Sequence, residues 1–417
     1  MISGYPSPAH GAYAYCAPRL SAQSVGLSLT WLTIVASSAV FAEPAPYDAL
    51  MLGLMAMLPL LGLTALSAGI FLFFILWLVI GAATLIAATK SSILDISVTH
   101  SAISIYLSIS AVLIAAFVRK EPEKHTRIII SGFIFAALIA VSAGIVGYFE
   151  LLPGANELFT KYGRIRGTFK DPNVFGPFIV LALLYCIHSM ATGRARRVIM
   201  MSLLTVLFSF GLLMSFSRGA ILNLGISLLV YASMMFMISR SNIFRFKLLL
   251  LVVFTACGVA LITAAALQID SIAALLRERA SLILPYDAGP EGRFGGQILA
   301  LDIISRNPIG IGAQEFGRIQ TGQDVHNVYL SMFLNAGWIG GFLYIAVVVT
   351  TLVAGFRHAL RRIPTQGVFI VMLAAFAGLA AEGLFVDTDH WRHFYLIMGI
   401  IWGLMLSRRP TAQRPAR

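Results

Sequence analysis

AGIFLFFILWLVIGAATLIAAT, residues 68–89, runs for 22 positions without one charged side chain. An α-helix of that length, rising about 1.5 Å per residue, spans the roughly 30 Å hydrocarbon core of a bilayer. In lipid a helix satisfies its backbone N–H and C=O groups internally, which an open strand does not. The stretch therefore reads as a transmembrane helix. Similar apolar runs lie upstream at 25–42 and 48–66, and downstream at 99–118, 128–149, 174–192, 198–216, 219–238, 248–268, 327–355, 366–386 and 393–407. The expected fold is all-α, a polytopic transmembrane helical bundle of about twelve spans that forms a single integral membrane domain over 1–417.

The composition agrees. The 417 residues are 59% hydrophobic and 12% charged, and the mean hydropathy of +0.87 lies outside the range of soluble domains. A net charge of +12 would suit a nucleic-acid partner if it covered one face, but the cations alternate from loop to loop instead. With the N-terminus placed in the cytoplasm, 18 of the 30 Lys and Arg fall in inner segments, with only Glu121 and Glu123 for acids. That bias puts both termini inside and makes membrane lipids, not nucleic acid, the expected surroundings. Cys16, Cys186 and Cys257 are too far apart in sequence for a metal site or redox pair. SSAVFAEP, residues 37–44, resembles a signal-peptidase site after Ala42, but the apolar stretch before it is long for a signal peptide and reads as an uncleaved first span.

Two outer segments stand out by length, 150–173 and 269–326. The second reads as a large periplasmic helical loop between the ninth and tenth spans, made of two amphipathic helices. Ile269, Ile272, Leu275 and Leu276 line the first, and Ile298, Leu299, Leu301 and Ile304 the second, with breaks at 285–292 and at NPIGIG, residues 307–312. The internal duplication found in many transporters is not evident.

Chemistry-bearing residues gather on that side. KYGRIRGTFKDPNVFGPF, residues 161–178, crowds Lys161, Arg164, Arg166 and Lys170 against the inside bias. Guanidinium groups bind phosphate bidentately, and Gly167 and Gly176 would admit close backbone approach; a solvated loop with Asp171-Pro172-Asn173 starting a helix reads equally well. Arg218 in SFSRGA lies between two spans with almost no loop, where it either snorkels or binds something. Arg293 in PEGRFGGQ stands at a helix start, a position suited to an anion or to solvent. His326 and Asn327 open HNVYLSMFLNAGWIGG, residues 326–341. The positive end of the helix dipole disfavours an imidazolium there, so His326 suits a proton acceptor, or an interfacial residue beside an Asn327 cap. Asp387, Asp389, His390 and His393 in FVDTDHWRHF could in principle bind a metal, but the stretch reads rather as a span anchor through Arg392 and His393, and no metal site is expected.

Three stretches together resemble the bacterial O-antigen ligase and O-antigen polymerase superfamily: RIRGTFKDPNVFG, SFSRGAILNLG, and GRFGGQILALDIISRNPIGIGAQEF followed by HNVYLSMFLNAGWIG. The last is similar to the ligase pattern of His, then Asn, Ser or Gln, nine residues, Gly, two residues and Gly, here His326, Asn327, Gly337 and Gly340. The resemblance covers roughly 150–350. It implies a GT-C-like glycosyltransferase that works without metal or other cofactor on the periplasmic face of the bacterial inner membrane. The implied donor is an undecaprenyl-diphosphate-linked glycan, and the acceptor is lipid A-core for an O-antigen ligase or a growing glycan for a polymerase. It further implies Arg166, Arg218 and Arg293, with Arg164 as a further candidate, near the donor diphosphate, His326 as base, and Asn173 within the first motif. A lipid-linked glycan flippase is the rival from another class, but it should carry ionisable groups near mid-membrane, not at the outer mouth.

Overall fold

The computed structural model describes residues 21–266, 268, 292–320, 322 and 324–407. Its elements in chain order are α1 (Ala22–Ala36), α2 (Pro46–Leu60), α3 (Ala68–Ala88), α4 (Leu94–Lys120), α5 (Pro122–Tyr148), α6 (Ala155–Phe159), β1 (Thr160–Lys161), β2 (Arg164–Ile165), α7 (Pro172–Thr192), α8 (Ala195–Met214), α9 (Arg218–Ile238), α10 (Asn242–Ala266), α11 (Arg293–Arg306), α12 (Glu315–Ile319), α13 (Val328–Ala359), α14 (Gln366–Glu382) and α15 (Arg392–Met405). Among the described residues, seven helices are long and apolar enough to cross a membrane: α3, α4, α5, α7, α8, α9 and α13. Four shorter apolar helices, α1, α2, α14 and α15, join them. The chain is thus a polytopic helical membrane protein, and every apolar run read from the sequence falls on a helix. The first run is shortened to Ala36, where the Ser37 and Ser38 hydroxyls donate to the Ile34 and Val35 carbonyls and close the helix.

Most helix starts follow local rules. Ser21, Ser67, Asp171, Ser217 and Asn327 each accept a hydrogen bond from a first-turn N–H of the helix they precede. Proline fills the first turn of α2, α5 and α7, where its missing N–H costs nothing. Packing between helices depends on small residues. Gly399 and Gly403 of α15 lie so close to α4 that a Cβ would meet the carbonyls of Ala111 at 2.5 Å and Ala115 at 2.7 Å. Phe73 stacks on Trp402 with ring centres 4.4 Å apart, and the indole N–H of Trp402 donates to Thr351 Oγ1 at 2.9 Å inside the bundle.

Contacts between loops sort the helix ends into two groups. At one end Val40 N–H donates to the Thr168 carbonyl at 2.9 Å, Lys170 pairs with Glu43 at 3.2 Å, and Glu315 accepts from Ser91 and Ser92. At the other, Arg119 donates to the carbonyls of Leu406 and Leu66, both at 2.9 Å. Successive long helices therefore alternate in direction. The segment 150–173 folds as α6 and a two-stranded hairpin, with Thr160 opposite Ile165 and Lys161 opposite Arg164, turned by Tyr162 and Gly163 at positive φ. In the segment 269–326, the first expected amphipathic helix lies outside the described residues, and the second is α11.

The 327–355 run is not one uninterrupted helix. Gly337 takes φ 65° and ψ −168°, breaking α13 nine residues into its length. A regular helix would bond Trp338 N–H to the Leu334 carbonyl. Here Trp338 N–H donates to the Pro308 carbonyl at 2.9 Å, and Leu334 O accepts from Ile311 N–H at 2.8 Å and Gly312 N–H at 3.2 Å. The NPIGIG loop thus fills the break and satisfies its backbone groups, as burial in an apolar setting requires. A Cβ on Gly337 would meet the Pro308 carbonyl oxygen and the Ile309 carbonyl carbon at 2.5 Å.

Gly337→Ala should therefore destabilise the protein by about 1–3 kcal/mol or more in thermal or denaturant unfolding in detergent. Gly53→Ala, where a Cβ meets nothing within 4 Å, should stay within about 0.5 kcal/mol of the parent.

Candidate active site

The candidate residues reach one end of the bundle through different elements. Arg164, on β2, is buried, at 6% exposure. Its Nε donates to the Ser215 carbonyl at 2.7 Å and its Nη2 to Asn173 Oδ1 at 2.8 Å. It ties the outer hairpin to the turn between α8 and α9 and to the first turn of α7. Arg218 follows three residues after Ser215 as the first residue of α9, its helix start fixed by the Ser217 hydroxyl. Phe216, at φ 46°, makes the tight turn that lets two helices meet with almost no loop.

Arg166 is placed differently from Arg164. Its Nη2 donates to the Glu157 carbonyl at 3.1 Å and its Nη1 to the Lys170 carbonyl at 3.5 Å, while its buried Nε has no partner among the described residues. Of the two hairpin arginines, Arg164 is thus the one bonded to the turn that precedes Arg218. The expectation that Gly167 and Gly176 leave room for a ligand is corrected. A Cβ on Gly167, at φ 55°, would meet the Ala140 carbonyl at 2.4 Å, and one on Gly176 would meet Ala220 Cβ at 2.6 Å, so both glycines admit other parts of this chain.

From Arg218 the contacts continue to the His326 motif. Gly219 lies against Glu382, whose Oε2 accepts from Asn223 Nδ2 at 2.9 Å. Glu382 is wholly buried at the end of α14, and Oε1 has no hydrogen-bond partner among the described residues. The next residue, Gly383, accepts from Val328 N–H at 2.9 Å and so seats the start of α13. Asn327 Oδ1 caps that helix, accepting from the N–H groups of Tyr329 at 3.1 Å and Leu330 at 3.2 Å. His326, just before the cap, sits at φ 50°, a left-handed conformation that a non-glycine residue adopts at a cost. Its backbone N–H and the Ser331 hydroxyl both donate to Asp387. Gly337 and Gly340 do not line this site. They form the helix break, where a Cβ on Gly340 would meet Ala336 Cβ at 2.2 Å.

Arg293 opens α11, and Gln297, one turn on, lines a cavity of about 750 Å³ together with Asn327. Leu301 of α11 and Leu330, Val348 and Leu352 of α13 extend the cavity along the bundle as an apolar groove. The structure thus brings Gln297 of α11 and Asn327 to one cavity, and joins Asn327's helix to the start of α9 through Gly383, Glu382 and Gly219.

Sequence reasoning missed several residues here. Glu382 and Asn223 were legible only as lone polar residues inside apolar helices, itself a signal of function in membrane spans. His100, on α4, lies beside Asp389 at 3.6 Å and stacks on His390 with ring centres 3.9 Å apart. His100, Asp389 and His390 present donor atoms within 4.8 Å of one another, whereas His393 stacks on Trp391 and stays outside the group. His390 Nε2 also lies 3.0 Å from Ser104 Oγ. Arg392 anchors the last helix by a bidentate pair with Asp48, at 2.8 and 2.6 Å.

Burial pushes the Asp387 carboxyl up to about 7, and the neighbouring Asp389 charge adds to the effect. A raised native value means that folding takes up a proton, so the associated stability is full at low pH and is lost as pH rises toward about 7. Asp387→Asn avoids ionisation while keeping an acceptor for Ser331. It should melt at least about 2 °C above the parent at pH 8, and the gap should narrow as pH falls to 5.

No curated protein matches the chain. Residues 203–345 match the family model described as O-antigen ligase. The matched span runs from α8 into α13 and carries Arg218, Arg293, His326, Asn327, Gly337 and Gly340, while Arg164, Arg166 and Asn173 precede it. That segment is thus similar to the O-antigen ligase family.

Proposed function

We propose that the protein transfers a glycan from undecaprenyl diphosphate to an acceptor hydroxyl at the periplasmic face of the bacterial inner membrane, as an O-antigen ligase of lipopolysaccharide biosynthesis. In this reading the bundle has twelve spans with both termini in the cytoplasm and a GT-C-like architecture. The observation that supports this reading is that Arg164 bonds Asn173 and the Ser215 turn, which leads in sequence to Arg218, while Gly219 lies against Glu382 and Gly383 bonds Val328, beside Asn327 and His326. Residues far apart in sequence share one helix-end mouth, and an apolar groove leads from it along α13.

The chemistry follows from charge development. The acceptor oxygen forms a bond to the anomeric carbon, the bond from that carbon to the diphosphate oxygen breaks, and undecaprenyl diphosphate leaves with the electron pair. Arg218, Arg293, Arg164 and Arg166 offer fixed positive charge to those phosphate oxygens, the arrangement that stabilises a leaving group without reorganisation at the moment of reaction. His326 takes the proton of the attacking hydroxyl. The groove between α11 and α13 suits the prenyl chain, because its walls are Phe294, Ile298, Leu301, Leu330, Val348 and Leu352. Diphosphate is already a good leaving group, so the transfer is proposed to run without a metal. A polymerase of the same superfamily would use the same donor site with a growing glycan as acceptor.

The deciding assay incubates the purified protein with synthetic undecaprenyl-diphosphate oligosaccharide, EDTA and either lipid A-core or a second donor molecule. Product with lipid A-core alone is expected; elongation of the donor alone would assign the polymerase activity. His326→Ala should cost about 10²–10⁴-fold and Arg218→Ala about 10²–10³-fold in rate. Full activity of His326→Ala would remove it as base.

Sidedness is tested separately. A membrane-impermeant thiol reagent applied from the periplasm should label a cysteine at exposed Tyr162 and not one at exposed Ala195. The reverse pattern would overturn the orientation.

A further inference from the structure

A second site lies at the far end of the bundle. α5 and α7 both run between the two ends, so Thr126 and Ser189 lie roughly 25 Å or more from the outer hairpin at about 1.5 Å per helical residue. Around them is a cavity of about 590 Å³, lined mainly by polar groups that include Thr126, Arg127, Tyr185, Ser189, Arg197 and Thr365. It plays no part in the transfer site.

Three features of this cavity point to an anion. First, α5, α8 and α14 all begin at its rim without a side-chain cap, and of their first turns only that of α5 carries an acid, Glu123. Second, two guanidinium groups flank it. Arg197 Nη2 is held by Tyr185 Oη at 2.9 Å and lies 3.5 Å from Ser189 Oγ, which fixes its position. Third, Thr126 lines the cavity and is only 3% exposed, yet its hydroxyl has no hydrogen-bond partner among the described residues. A buried hydroxyl without a partner costs free energy unless something in the cavity completes it. Glu123 and the C-terminal turn of α7 bring some negative charge to the rim. The two arginines and three helix starts outweigh it.

We propose that this cavity binds a phosphate group, held by Arg127 and Arg197, with the Thr126 hydroxyl donating to one of its oxygens. Guanidinium forks and helix N-termini are the protein groups best matched to phosphate oxygens. The phosphate belongs either to an anionic phospholipid headgroup or to a soluble phosphorylated molecule.

The test uses the full-length protein in neutral detergent. Native mass spectrometry follows binding of phosphatidylglycerol against phosphatidylcholine, and thermal unfolding is followed in sodium phosphate against sodium chloride at equal ionic strength. Selective retention of phosphatidylglycerol supports the site with a lipid source, and stabilisation by inorganic phosphate without lipid selectivity supports it with a soluble one. In either case Arg127→Gln/Arg197→Gln should weaken binding at least about tenfold, and the near-isosteric Thr126→Val about threefold. Arg194→Gln/Arg196→Gln removes two cations that do not line the cavity and should bind like the parent. The proposal fails if neither probe binds selectively, if the Arg127/Arg197 variant binds like the parent, or if the Arg194/Arg196 control loses as much as that variant.

Discussion

The exchange of backbone hydrogen bonds at Gly337 sets the geometry on which the rest of this end of the bundle depends. A helix surrounded by apolar groups cannot leave a carbonyl or an amide without a partner, because each would cost several kcal/mol. The break in α13 is tolerated because residues 308–312 supply an acceptor to Trp338 N–H and two donors to the Leu334 carbonyl. The same bonds bind the outer segment to the bundle, reinforced by Trp338 Nε1 donating to the Ile304 carbonyl at 2.9 Å. α11 is thereby held against α13, and Gln297 comes to line the groove together with Asn327. Two glycines of the His-Asn motif thus serve the backbone and act on the candidate site only through the position of α11.

A second level of order comes from polar contacts at the helix ends. Helices in a membrane gain little by burying apolar surface against one another, since lipid is equally apolar, so close packing and polar links set their arrangement. At the outer end these links are Arg392 with Asp48, Lys170 with Glu43, Glu315 with Ser91 and Ser92, and Arg164 with Ser215. They connect α15 to α2, the hairpin segment to the loop after α1, the outer segment to the turn after α3, and β2 to the end of α8. Small residues do the corresponding work inside, where Gly399 and Gly403 let α15 approach α4. The outcome is a mouth built from loops that are remote in sequence and rigid because each is bonded to another.

That rigidity suits transfer chemistry. Stabilising a departing diphosphate requires positive groups already in place, since a guanidinium that must first reorganise gives back part of its benefit. Arg164 has its Nε and Nη2 committed to Ser215 and Asn173, and Arg218 opens α9, whose start is set by the Ser217 hydroxyl. The buried Glu382 and Asn223 lie directly behind Gly219 and connect α9 to α14. The paired ends of the bundle differ in character, with a mouth joined to an apolar groove at one and a polar, cation-flanked cavity at the other.

The sequence by itself determined which segments are helices, because a long apolar run in a chain so poor in charge has one low-energy backbone in lipid. It also determined where helices start, through Ser67, Asp171, Ser217 and Asn327, since a cap is a local interaction. The motifs around Arg218 and His326 were legible for the same reason: their spacing is local. Only the tertiary structure decided that Arg164 and not Arg166 is bonded to the turn before Arg218, that Gly337 breaks its helix, and that His100 joins Asp389 and His390. Each of these depends on a partner between about 30 and 290 residues away, and neither periodicity nor composition carries information about which distant backbone group or side chain will complete a hydrogen bond.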